Sequence, residues 1–125
     1  MSKVANAYKN TEITTSVSSA NANDLILLVY SRVLENLRLG KQELENNRPG
    51  IKEFSMVNEL INLGLVASLD YQKGGEIAQN LRKIYLWAMH MVIEARLTNS
   101  HEKIDEIINI FNGLSQSWES IKLRK

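Results

Sequence analysis

Apolar residues recur along this chain at spacings of three and four, and nowhere do they alternate long enough to build a strand. Four stretches carry the helical pattern. The first starts near Asn21 and aligns Ile26, Tyr30, Val33, Leu37 and Leu44, with Leu27 and Leu34 alongside. Asn21 as N-cap and Asp24 three residues on make an acidic capping box. Leu25, Leu28 and Val29 put apolar groups on further faces of its first turns. Gly40 interrupts the stretch at about 1 kcal/mol relative to alanine. The turn Asn47-Arg48-Pro49-Gly50 ends it. The second stretch aligns Ile51, Phe54, Val57, Ile61, Leu65 and Leu69, with Gly64 placed to permit close backbone approach. A turn from Tyr71 to the pair Gly74-Gly75 closes it, because glycine accepts the positive φ that ends one helix and redirects the chain. The third stretch runs from about Gly75 to Thr98. The fourth opens on Asn99 as N-cap, with Glu102 three residues later. It aligns Ile104, Ile107, Ile108, Phe111, Leu114, Trp118 and Ile121 against a polar opposite face.

The third stretch differs from the rest. Ile77, Leu81, Ile84, Ala88, Met91 and Ala95 form one stripe, and Ala78, Tyr85, Met89 and Val92 form a second. Leu86, His90, Ile93 and Leu97 add a third in its second half. From Ile84 to Ile93 the helix is apolar nearly all round, so it needs cover on more than one side. It is too short for a membrane span, which takes about 20 apolar residues. Four helices of roughly 20–25 residues, each about 30–37 Å long, joined by short links, predict an all-α, antiparallel up-down four-helix bundle. Residues 1–20 are rich in Ser, Thr, Asn and Ala and predict a mobile arm, able at most to form a short extra helix. The bundle domain is then 21–125.

Composition narrows the function. The chain has 125 residues, enough for one domain, with 15 Lys and Arg against 14 Asp and Glu. That balance lacks the basic excess of a nucleic-acid binder. There is no cysteine, which removes disulfides, thiol catalysis and cysteine metal sites, and fits a reducing cytoplasm. No signal peptide opens the sequence. His90 and Glu94 stand one helical turn apart, but the paired Glu-x-x-His motifs of a di-metal bundle are missing. His101-Glu102 lacks the following x-x-His of a zinc protease helix. Phosphotransfer through His90 needs an exposed histidine, and Met89, Met91, Val92 and Ile93 around it predict an apolar setting hostile to phosphate. Gly74-Gly75 lacks the rest of a phosphate-binding loop. The sequence therefore predicts no catalytic residue, metal or cofactor. Binding remains: Met89 and Met91 are adaptable, and Tyr71, Tyr85 and Trp87 are typical anchors.

Ser68-Leu69-Asp70, then Gly74-Gly75-Glu76-Ile77-Ala78-Gln79-Asn80-Leu81 and Ile84-Tyr85, resemble the signature of the flagellar export chaperone FliS family, cytoplasmic chaperones of flagellin. Asn6-Ala7-Tyr8-Lys9-Asn10 is similar to that family's amino-terminal tyrosine motif, and Leu25-Ile26-Leu27-Leu28-Val29-Tyr30 to the start of its first helix. Ile93-Glu94-Ala95 and Ile104-Asp105-Glu106-Ile107 resemble its third-to-fourth helix passage. The likeness spans nearly the whole chain. It departs from the family at Asn21-Ala22-Asn23, where Ser-Pro-Glu is common, at His90-Met91, where an Arg pair is common, and at Leu86, where an acidic residue is frequent. The last two make the third helix more apolar.

The resemblance implies a non-enzymatic helical bundle that binds the carboxyl-terminal region of flagellin in the cytoplasm, prevents premature polymerisation and keeps the cargo competent for type III export. It also implies an arm that occupies part of the cargo groove, which fits Tyr8. Pattern and resemblance together give Tyr8, Tyr30, Tyr71, Ile77, Leu81, Tyr85, Trp87 and Met89 as the expected region of contact. Flagellin is the expected partner, with other flagellar export or regulatory proteins as further candidates and neither nucleic acid nor membrane insertion. The chain is expected as a monomer or weak homodimer. Two alternatives are a homodimeric scaffold joined through the third helix, and a histidine phosphotransfer domain using His90.

Overall fold

The computed structural model describes the backbone of residues 19–123 and the side chains of residues 24–120. The expected contact residue Tyr8, and nearly all of the arm at 1–20, lie outside the described residues. Four helices follow in order: α1 (Ser19–Glu45), α2 (Ile51–Glu59, continued as a π-helix over Leu60–Val66), α3 (Tyr71–Thr98) and α4 (His101–Leu123). Among the described residues there is no sheet, and the all-α bundle expected from the pattern is what forms. α1 packs on α2 and α4, while α3 packs on α4 and on the π segment, so α1 and α3 are diagonal to one another. Tyr30 meets Trp118 near one end of the α1–α4 pair, and Lys41 meets Asp105 near the other, which makes those two helices antiparallel.

The stripes read from the sequence become the core. Ile26, Tyr30, Val33, Leu37 and Leu44 of α1, Phe54, Val57, Ile61 and Leu65 of α2, and Ile104, Ile107, Phe111 and Trp118 of α4 are all buried. Ile51 is the exception on the second stripe and is exposed.

Three local details differ from expectation. α1 begins at Ser19, so Asn21 lies inside the helix and is not its cap. Asn99 does not cap α4 either. It takes φ 51° and closes α3, where the Ser100 amide bonds back to the Ala95 carbonyl at 2.9 Å. The α4 cap is Ser100, whose Oγ accepts from the Lys103 amide at 3.3 Å. The third detail is the start of α3. Residues 71–74 form a helical turn rather than an open link. Asp70 caps that turn, accepting from the amides of Gln72 and Lys73 at 3.0 Å each. The break narrows to Gly75 alone, at φ 50° and ψ −124°, a conformation that only glycine adopts without strain.

The second helix is not uniform. Val57, Ile61, Leu65 and Leu69 are each four residues apart, with no step of three between them. In an α-helix each such step overshoots a full turn by about 40°, so the last residues would rotate off the core. The π segment bonds five residues back, as the Ala67 amide does to the Asn62 carbonyl at 3.1 Å. Its wider turn cancels the drift and keeps Ile61 and Leu65 facing inward.

Candidate functional site

The middle of the bundle is tied together by aromatic side chains from three helices. The hydroxyls of Tyr30 on α1 and Tyr85 on α3 are 2.7 Å apart, and Trp118 Nε1 on α4 donates to Tyr30 Oη at 3.1 Å. Phe111 lies edge-on to Tyr30 and stacks on Tyr85, with ring centroids 5.6 and 6.2 Å away. Tyr30 and Tyr85 are 0% exposed. Their hydroxyls bond to each other and their rings pack on Phe111, as buried tyrosines demand. Leu81 is buried as well.

The other expected residues on α3 do reach the surface. Tyr71 and Trp87 are exposed, and Ile77 and Met89 are half-buried. They do not form one cluster. Tyr71 sits on the turn before the Gly75 kink. Trp87 lies about 120° round the helix from Ile93, on the flank that faces α4, where Lys103 Nζ is 3.5 Å from the Glu94 carboxylate. The opposite flank carries a stripe absent from the expected set. Leu86, Ile93 and Leu97 are exposed there, Leu97 at 81%, with Met89 on its inner edge. The signal for them was present: they are the third stripe of the third stretch. The buried face of the same helix is Ala78, Leu81, Tyr85, Ala88, Met91, Val92 and Ala95. α3 is thus apolar inside and along the Leu86–Leu97 margin, while Trp87 stands beside the charged Glu94. The neighbouring π segment, which packs on α3, adds an exposed leucine, Leu63.

His90 stands on the outside of α3, its side chain 70% exposed and its Nε2 3.1 Å from Glu94 Oε1. The apolar setting expected around it is not there. A carboxylate on the ring nitrogen still opposes a phosphoryl group, by like-charge repulsion. Among the described residues no three His, Asp or Glu side chains converge as a metal site would require. Among the same residues no helix is long and apolar enough to cross a membrane.

An apolar helix face bordered by half-buried methionine, and lacking convergent polar groups, has the chemistry to accept another amphipathic helix. The family model described as flagellar protein FliS matches residues 4–125. The flagellar secretion chaperone FliS of Salmonella typhimurium is 29% identical over 117 residues, covering 92% of this chain and 87% of that protein. The corresponding chaperone of Campylobacter jejuni is 36% identical over 100 residues, 78% of this chain and 77% of the relative. The flagellar secretion chaperone FliSB of Pseudomonas aeruginosa is 28% identical over 121 residues, 95% of each.

Proposed function

The chain belongs to the FliS family, and on that premise we propose that it binds the carboxyl-terminal region of flagellin in the cytoplasm and withholds it from polymerisation until export. It acts by binding alone, with no catalytic step. The observation that carries this is the surplus on α3: Leu86, Trp87, Ile93 and Leu97 are exposed on a helix whose opposite face is already buried. Flagellin segments that fold only when packed would present amphipathic helices, and the Leu86, Ile93 and Leu97 margin of α3 offers them an apolar strip with Trp87 beside it.

The energetics favour a releasable complex. Covering a partly exposed large side chain returns roughly 1 kcal/mol, about half the value for full burial. Four or five such residues give a gross gain of a few kcal/mol, to which backbone and rim contacts add. Ordering an unfolded segment costs about 2–5 kcal/mol. Gain and cost are of similar size, so binding is specific without being permanent, which suits cargo that must be handed on. Ile77, Met89 and Tyr71 border the same helix and widen the contact.

The test is a titration with a flagellin carboxyl-terminal peptide, followed by tryptophan emission. Trp118 is sealed in the core, so a change reports Trp87. The expected result is a saturable blue shift at micromolar peptide that Trp87→Phe removes. No binding by calorimetry at micromolar concentration, with both partners soluble, rejects this function.

A further inference from the structure

The two helix–helix connections at one end of the bundle are built alike. Asn47 follows α1 at φ 60° and Asn99 follows α3 at φ 51°, the left-handed conformation that asparagine tolerates. In each, the next amide bonds back across the helix end, Arg48 N to the Glu43 carbonyl at 2.8 Å and Ser100 N to the Ala95 carbonyl at 2.9 Å. The asparagine amides take the Leu44 and Arg96 carbonyls at 3.0 and 3.4 Å. The two caps meet, with Asn99 Nδ2 donating to Asn47 Oδ1 at 3.4 Å.

Beside them lies an open hollow of about 240 Å³, lined by Leu44, Asn47, Arg48, Pro49, Arg96 and Asn99. Two of these residues are arginines and none is acidic. Glu43 holds Arg48 in place, its Oε2 accepting from Nε at 2.8 Å and lying 2.6 Å from Nη2. That engages one edge of the guanidinium. Among the described residues Arg96 has no salt-bridge partner. A cation in the last turn of a helix is favourable by itself, so Arg96 alone would mark nothing. Here the caps already occupy the Glu43, Leu44, Ala95 and Arg96 carbonyls, and a second guanidinium lines the same hollow. Two cations that share a hollow repel, and an anion between them turns repulsion into attraction.

We propose that this hollow binds a peptide carboxylate, with Arg96 as the main donor and Arg48, Asn47 and Asn99 around it. The guanidinium fork matches the two oxygens of a carboxylate. Asn47 uses its Oδ1 on Asn99, which leaves its Nδ2 to donate. Leu97, the most exposed residue of the α3 strip at 81%, is the neighbour of Arg96 in the chain. The hollow therefore stands at the end of the strip formed by Leu86, Ile93 and Leu97. In naming the source of the carboxylate the inference rests on the cargo reading: a segment lying on the strip reaches the hollow with an acidic side chain or with its own chain terminus.

The test is calorimetric titration of the full chain with a flagellin carboxyl-terminal peptide, with the Arg96 Nε–H resonance followed by NMR. In the wild type that resonance is expected to shift as the peptide saturates. Arg96→Gln is expected to weaken binding at least about fivefold at low salt, and added salt is expected to narrow the gap. Arg96 is exposed, and an unchanged thermal midpoint shows that the variant is folded. Two further peptides identify the source, one with an amidated terminus and one with its acidic side chains replaced by amides. A loss matching that of Arg96→Gln in either one supports the site. Wild-type affinity in Arg96→Gln, with affinity lost in Ile93→Asp, overturns the site and leaves the cargo reading standing. Full affinity in both altered peptides overturns it as well. A wild type that binds no peptide at all removes the cargo reading and this anchor with it.

Discussion

A methyl group at position 40 would sit 2.4 Å from Cε1 and 2.5 Å from Cζ of Phe54, whose ring is buried against the α1 backbone. Gly50, at φ 64°, borders the other edge of the same ring. Gly40 therefore looks from the sequence like a weak point in a helix and turns out to be the floor of a packing site. Gly40→Ala gains about 1 kcal/mol of helix propensity, yet forces a rigid buried ring to move, at about 1–3 kcal/mol. The expected result is a net loss of stability in chemical denaturation, relieved when Phe54→Leu is added. Gly64 reverses the expectation. A Cβ there meets Val29 Cγ1 at 3.6 Å, an ordinary contact, so close approach does not require glycine. The hydroxyl network gives a second test. Tyr30→Phe takes from Trp118 Nε1 its acceptor and from the Tyr85 hydroxyl its partner. At about 1 kcal/mol per bond, it is expected to unfold at lower denaturant than the wild type.

Element boundaries show where patterning stops being informative. Spacing located all four helices and their buried faces, because burial repeats along a helix and the stripe survives small errors at the ends. Caps depend on single residues. Asn99 and Ser100 are both good N-cap types, and only the positive φ of Asn99, which ends α3, decides between them. The π segment was written in the three successive steps of four from Val57 to Leu69, a pattern easily taken for one continuous α-helix. The Gly74-Gly75 pair marked the break, but not that Gly75 alone carries it. Gly75→Ala is expected to cost about 1–3 kcal/mol, since no clash but only its backbone angles forbid a side chain. The join of α1 to α4 is electrostatic at one end. Lys41 Nζ is 2.8 Å from Asp105 Oδ1, and that hydrogen bond, with the charge of Asp105 behind it, holds Lys41 above the usual lysine pKa. The pair is partly exposed, so its worth is under about 1 kcal/mol. Because the folded pKa is the higher one, this stability is fully present below the unfolded lysine value, about 10.4, and is lost as pH rises through the folded value. Thermal melts of Lys41→Met and wild type are expected to differ near neutrality and to converge in strong alkali.

Across the whole molecule the sequence carried the surplus of α3 but not its division. Patterning says that a helix is apolar on three sides; which side stays open depends on where its neighbours stand. α4 and the π segment cover the inner face and leave Leu86, Ile93 and Leu97 on one margin and Trp87 on the other. The same ambiguity holds for Tyr30 and Tyr85, both buried, since a tyrosine on a stripe serves a core or a partner equally well. The third stripe, passed over as a contact, is the larger exposed surface. A chaperone that holds cargo there must lose it when that stripe is made polar, while its fold, built on the opposite face, persists. The measurement closest to this claim is calorimetric titration of a flagellin carboxyl-terminal peptide into Ile93→Asp, Leu97→Asp double-variant protein that keeps the wild-type thermal midpoint. Affinity at least about tenfold below wild type, the loss of roughly 1.4 kcal/mol or more, is the predicted result. Wild-type affinity in that folded variant would contradict the account.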